Sequence, residues 1–155
     1  MSNKKLTKEV VFNALGKKKT SPEFIAVLDI LGKPIIEDDS DSDIVDYMWD
    51  NHGINIVLSY DTGIFLNIFL YPNGAKHDED YNPDQEPCNV ICKENDFDQN
   101  LTMQEVREKY GKPDVEKDSY RGYVLLYRNI DDRTMRFVFT NETELYYIML
   151  GQKGI

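Results

Sequence analysis

Apolar positions along the chain recur with two periods, and the switches between them predict the elements. Leu6, Val10, Val11, Ala14 and Leu15 fall on one face of a helix over 6–15, with Gly16 as its stop. A polar break, Lys17-Lys18-Lys19-Thr20, follows. Ser21 as N-cap and Pro22 as first helical residue then open a second helix. Its apolar residues Phe24, Val27, Leu28 and Leu31 keep helical spacing, and Gly32-Lys33-Pro34 closes it. Glycine accepts a left-handed cap, and proline cannot continue the helical ladder. A third helix begins at Thr102, which stands in capping-box spacing with Glu105, and ends at Gly111-Lys112-Pro113.

β-branched and aromatic runs of strand length fill the space behind the second and third helices. The acidic stretch after Pro34 reads as a loop. It is followed by strands at Tyr47–Trp49, at 53–60 and, past a turn at Asp61–Gly63, at 64–71. After Pro113 the same order returns: a polar loop, strands at Tyr123–Tyr127 and Thr134–Thr140, a turn at Asn141–Thr143 and a strand at Glu144–Leu150. Aligning Gly32 with Gly111 lays Phe24, Val27 and Leu31 on Met103, Val106 and Tyr110. The fold expected is therefore α+β, in one domain over 1–155. Two tandem helix-plus-three-strand repeats, about 6–71 and 101–151, share a sheet with helices on one face. Residues 72–100, with three prolines in 72–87, read as an acidic surface linker, with Cys88–Cys92 as a short buried stretch.

The chain has 155 residues, 28 acids against 18 bases, and a formal charge of −10. That balance speaks against a nucleic-acid binder, whose affinity rests on Lys and Arg, and equally against an anionic membrane surface. The longest apolar run, 63–71, is broken by Asn67 and falls far short of the ~20 residues that span a bilayer. The lysines near the start read as a solvated helix face, and Val10–Phe12 is too short for a signal peptide. Two cysteines make no disulfide framework, so the expected location is cytoplasmic.

Candidate chemistry is sparse. A thiol–imidazole pair would have to join Cys88 or Cys92 to His52 or His77, and the plain reading is a structural thiol and turn histidines. No phosphate loop, dinucleotide fingerprint, nucleophile elbow or zinc spacing occurs, so no enzyme and no cofactor is expected. Asp39-x-Asp41-x-Asp43 and Asp78-x-Asp80-x-Asn82 have calcium-loop oxygen spacing. Counted as EF-hands, they lack glycine at the sixth position and glutamate at the twelfth.

Charge distribution says more. Glu37, Asp38, Asp39, Asp41, Asp43, Asp46 and Asp50 form a run without a base. Asp78, Glu79, Asp80, Asp84, Glu86, Glu94, Asp96 and Asp98 form a second, interrupted by Lys93 alone. Solubility explains such runs, and so does a surface complementary to a basic partner. Trp49, Tyr47, Tyr60, Phe65 and Tyr71 read as core by default, and those on an open sheet face would be interface anchors, with Tyr47 and Trp49 the candidates beside the first run.

A capped helix ending in Gly-x-Pro before antiparallel strands resembles the repeat of the β-lactamase inhibitory proteins. It is also similar to that of the small outer-membrane assembly lipoproteins, through Thr102, Glu105, Val106, Gly111 and Pro113. Leu31-Gly32-x-Pro34, Trp49 and Gly53-Ile54-x-Ile56 also resemble bacterial immunity proteins that neutralise polymorphic or contact-delivered toxins. The likeness covers about 20–71 and 100–151, and no export signal or lipidation cysteine accompanies it. It implies a cytoplasmic immunity protein that blocks the active site of a cognate toxin, with a basic nuclease domain as the expected partner. The contacts expected are Asp38, Asp39, Asp41, Asp43, Asp46, Tyr47, Trp49, Asp78, Glu79, Asp80, Asp84 and Glu86. The alternative is a calcium-responsive or scaffold domain without a toxin partner.

Overall fold

The computed structural model describes residues 6–74, 84–88, 100–119, 122–140 and 144–152. Among the described residues, three helices precede or interrupt the strands: α1 (Lys8–Ala14), α2 (Pro22–Leu31) and α3 (Met103–Tyr110). Each begins at a hydroxyl cap. The side chains of Thr7, Ser21 and Thr102 accept from the backbone N–H three residues on, at 3.1–3.2 Å. At α3 the Glu105 carboxylate reaches back to the Thr102 N–H at 3.1 Å, which completes the capping box.

The strands are β1 (Ile35–Asp39), β2 (Ile44–Trp49), β3 (Ile54–Ser59), β4 (Phe65–Leu70), β5 (Val115–Ser119), β6 (Gly122–Ile130), β7 (Arg133–Phe139) and β8 (Leu145–Gln152). They form one antiparallel sheet in the order β1-β2-β3-β4-β8-β7-β6-β5. The first four and the last four strands are each a meander, and they meet where Ile68 of β4 faces Leu150 of β8. The mixed α and β composition agrees with the expected class, with strands in the majority.

Two strands were read as loops. The acidic stretch after Pro34 is β1 plus a 3-10 turn at Ser40–Ser42, and the polar stretch after Pro113 is β5. Each group of strands therefore has four members rather than three. Both missed strands lie at the sheet's edges, where a strand pairs on one side only and its side chains can be solvated on both faces. Alternation, the sequence signal of a half-buried strand, is then lost.

Buried side chains gather chiefly in one core. Val11, Phe24, Val27 and Val106 from the helices join Ile54, Ile56, Phe65, Ile68, Phe137, Ile148 and Leu150 from the strands. Phe24 meets Phe65 edge-on, with ring centroids 5.4 Å apart. A second, smaller group holds Val124, Val138 and Tyr146, with Tyr71 and Tyr147 packed against it. Val124 and Val138 are cross-strand partners one residue out of phase with the core pair Leu125 and Phe137, so they lie on the sheet's other face. The lysine-rich break behaves as an add-on to the sheet. Its backbone bonds β4 through Phe65 N to Lys17 O at 2.8 Å and Gly16 N to Phe65 O at 2.9 Å.

The expected surface linker is packed where it is described. Gln85 and Cys88 are buried, Glu86 N donates to Asp50 O at 2.7 Å, and Cys88 N donates to Tyr71 O at 2.9 Å. Two glycines make room for this segment. A Cβ on Gly53 would stand 2.3 Å from Glu86 O, and one on Gly74 would stand 2.7 Å from Pro87 N.

Candidate protein-binding edge

Strand β1 and its hairpin partner β2 carry the first acidic run to one margin of the sheet. Glu37 lies directly across from Asp46, and Asp38 across from Val45. Like charges opposed in an antiparallel pair destabilise it by a few tenths of a kcal/mol or more. Asp41 sits in the 3-10 turn, and Asp43 follows with φ 57, a backbone setting that aspartate tolerates better than most residues. Glu37, Asp38, Asp41 and Asp43 are exposed, while Asp46 is half-buried. Asp39 ends β1 opposite Ile44.

The remaining candidates scatter. Asp84 and Glu86 are exposed on the segment held against the β2–β3 turn, at the far end of β2 from Asp43. A strand of that length separates the two groups by roughly 20 Å at ~3.3 Å per residue. Asp78, Glu79 and Asp80 lie outside the described residues, as do His77 and Cys92.

The aromatic candidates need correction. Trp49 is 2% exposed, packed in the core, and its indole N–H donates to Gly32 O at 2.9 Å. It is a core residue and is not placed to anchor a partner. Its place at the end of β2 on the helix-packed side, opposite Ile54, is what buries it. Tyr47 is half-buried, leaning on Phe24 and Trp49 with ring centroids 6.2 and 6.4 Å away.

The margin also holds two exposed apolar residues. Ile35 and Ile36 are 55% and 56% exposed, and as neighbours in a strand they point to opposite faces. An apolar pair directly before an acidic run was their only sequence signal.

The other margin is built differently. Arg107 of α3 reaches across to Glu116 of β5 in an ion pair, and the Tyr123 hydroxyl lies 3.4 Å from the same carboxylate. Arg107 holds the Glu116 carboxyl below the usual range, and Glu116 in turn raises the guanidinium. β5 also carries Lys117 at its centre and exposes no large apolar side chain.

Among the described residues, no three His, Cys, Asp or Glu side chains converge as metal ligands, and Asp41 and Asp43 stand exposed around their turn. The His52 ring Nε2 lies 3.1 Å from Leu31 O, and Cys88 is buried. No described helix is long and apolar enough to cross a membrane.

The fold and its acidic margin thus define a mixed domain dominated by one antiparallel sheet. No protein-family model and no curated protein matches the chain. Two solved structures are similar. One is an extracellular protein containing an SCP domain from Bacillus anthracis, 11% identical, with TM-score 0.57, covering 98% of this chain and 49% of that one. The other is a DUF4309 family protein from Bacillus subtilis, 14% identical, with TM-score 0.49, covering 83% of this chain and 76% of that one. The chain spans about half the length of the first, and the likeness to it is one of fold alone.

Proposed function

We propose that this chain is a binding protein that neutralises a basic protein partner, as a bacterial immunity protein neutralises a toxin. The observation that carries the reading is the β1–β2 margin. Glu37 faces Asp46 there, and Glu37, Asp38, Asp41 and Asp43 are exposed without a base in the run. Exposed carboxylates at 37, 38, 41 and 43 favour a positive surface as partner. A nuclease groove that binds phosphates is such a surface, and the carboxylates would occupy it as phosphate mimics in the cytoplasm. Neither similar structure is described as an inhibitor, so the reading rests on these residues.

Internal duplication, with helices on one face, belongs to the same proposal. The two meanders are arranged outward from β4 and β8, and each follows a helix closed by Gly-Lys-Pro. The closing glycines have nearly the same backbone, φ 87 and ψ −161 at Gly32, φ 82 and ψ −157 at Gly111. Helix residues from α1, α2 and α3 all share the larger core, which supports one covered face.

The test is capture on the immobilised chain from lysate of its own organism, followed by salt elution and assay of the eluted partner for phosphodiester cleavage. A basic partner that salt releases and whose cleavage the chain blocks is expected. Reversing Glu37, Asp38, Asp41 and Asp43 to Lys should weaken binding and flatten its salt dependence. A partner whose activity the chain leaves untouched would overturn the reading.

A further inference from the structure

We infer that the outer edge of β1 takes an added strand, and that the strand is a basic, extended segment of a different protein. The inference rests on the binding role proposed above and assigns it a backbone mechanism. Among the described strands β1 pairs with β2 alone, and its outer side carries a row of backbone N–H and C=O groups that no described strand meets. Sheets usually guard such an edge with charged side chains, lysine above all, or cover it, and an acidic guard repels other acidic edges while leaving a basic one free to approach. The β5 edge carries Lys117 at mid-strand. Strand β1 itself holds neither lysine nor arginine, only acids, and shows Ile35 to one face and Ile36 to the other.

Charge decides between occupants. A second copy laid antiparallel along the whole of β1 would set Glu37 against Glu37, two like charges that repel, and would place the acidic positions 38 and 39 opposite the apolar Ile36 and Ile35. An antiparallel guest with two or three basic residues followed by two apolar ones puts cations opposite 37–39 and apolar groups opposite Ile35 and Ile36. Main-chain hydrogen bonds then supply affinity, and side-chain pairing supplies direction and register.

The experiment uses the full chain and a synthetic peptide with the core Lys-Arg-Lys-Ile-Val, in three forms. One is unmodified; the other two carry N-methyl groups on one or the other set of alternate amides. Methylation leaves charge and side chains in place and removes only the donors. Binding is read by fluorescence anisotropy, and amide exchange of β1 is followed by NMR. One methylated form should bind about tenfold or more weakly and the other like the parent, since only one set faces the edge. The β1 amides should slow their exchange in the complex.

Equal binding by all three peptides, or no binding by any, would overturn strand addition. A captured partner whose cleavage activity is still blocked would leave the inhibitor reading standing in that case. Edge-dependent peptide binding with no partner captured would have the reverse meaning. A concentration-dependent dimer of the chain that Ile35→Lys abolishes would give the edge to a second copy and overturn the proposal.

Discussion

Trp49 and Tyr127 do the same work in the two meanders. The Trp49 indole N–H donates to Gly32 O at 2.9 Å, and the Tyr127 hydroxyl donates to Gly111 O at 2.8 Å. Each therefore ties the second strand of its meander to the glycine that ends the preceding helix. Both side chains are almost fully buried while the accepting glycines are exposed, so each bond is partly shielded from water. Tyr127→Phe deletes one hydrogen bond and nothing else, and should cost about 1 kcal/mol in urea unfolding. Trp49→Phe also leaves a void and should cost about 2 kcal/mol or more. Equal, negligible losses would mean that neither tie contributes to folding.

The tied glycines are constrained by conformation rather than crowding. A Cβ on Gly32 or Gly111 would meet nothing within 4 Å, yet φ is 87 at one and 82 at the other, with ψ near the extended limit. That region is nearly closed to residues with a side chain. Gly32→Ala and Gly111→Ala should each destabilise by about 1–3 kcal/mol. Similar penalties at the two sites, read from chemical denaturation, would match their shared geometry.

The hairpin between β6 and β7 offers a gain. Ile130 pairs with Arg133 around a two-residue loop in which Asp131 and Asp132 have φ 52 and 62. Asn-Gly suits such a loop better than Asp-Asp. The bond from Asp132 N to the Asn129 side-chain oxygen uses the backbone and survives substitution. Asp131→Asn with Asp132→Gly should raise stability by about 0.5 kcal/mol, the eased backbone outweighing the entropy of an added glycine. A lower melting temperature would show that these aspartates stabilise the loop through their side chains.

These sites show what the sequence could convey. The capped ends of α2 and α3 were legible because Ser21, Thr102, Glu105 and the two Gly-Lys-Pro stops act within a few residues of themselves. Strands β3, β4, β7 and β8 were legible because their apolar residues face a core. β1 and β5 were not, since an edge strand is specified by its partner strand and its own residues face water. Trp49 is ambiguous in sequence for a related reason. Its type fits an anchor and a core equally, and only the register opposite Ile54 separates them. The acidic run was visible at once. That it lies along an open backbone edge with Ile35 and Ile36 needed the sheet order.

Alkaline pH should expose Tyr110. Its hydroxyl is buried with no hydrogen-bond partner among the described residues, its ring packs on Tyr127 and Phe137, and burial pushes its pKa up to about 12. The unfolded phenol ionises near 10. Stability from this residue is therefore complete below about pH 10 and falls as pH rises toward 12, because only the unfolded chain releases the proton. Tyr110→Phe should match or exceed the parent at pH 7, by up to about 1 kcal/mol. The variant's advantage should widen at pH 11. An advantage that stays constant between the two pH values would show that the phenol is solvated in the folded state.

Gly53 tests whether the packed segment at 84–88 opens on its own. A side chain there would collide with Glu86 O and with Cys88 N, 2.8 Å away, and both are backbone atoms that cannot swing aside. Gly53→Ala should therefore lift the segment off the β2–β3 turn and uncover Cys88, which is 3% exposed. In a Cys92→Ser background, the rate at which an aromatic disulfide labels Cys88 should rise about tenfold for each 1.4 kcal/mol of weakened docking. If the segment detaches locally, labelling accelerates well below the urea concentration at which the sheet unfolds. Labelling that rises only along with global unfolding would make 84–88 part of the cooperative core. Asp84 and Glu86 would then be held in place at the end of β2 for as long as the sheet itself stands.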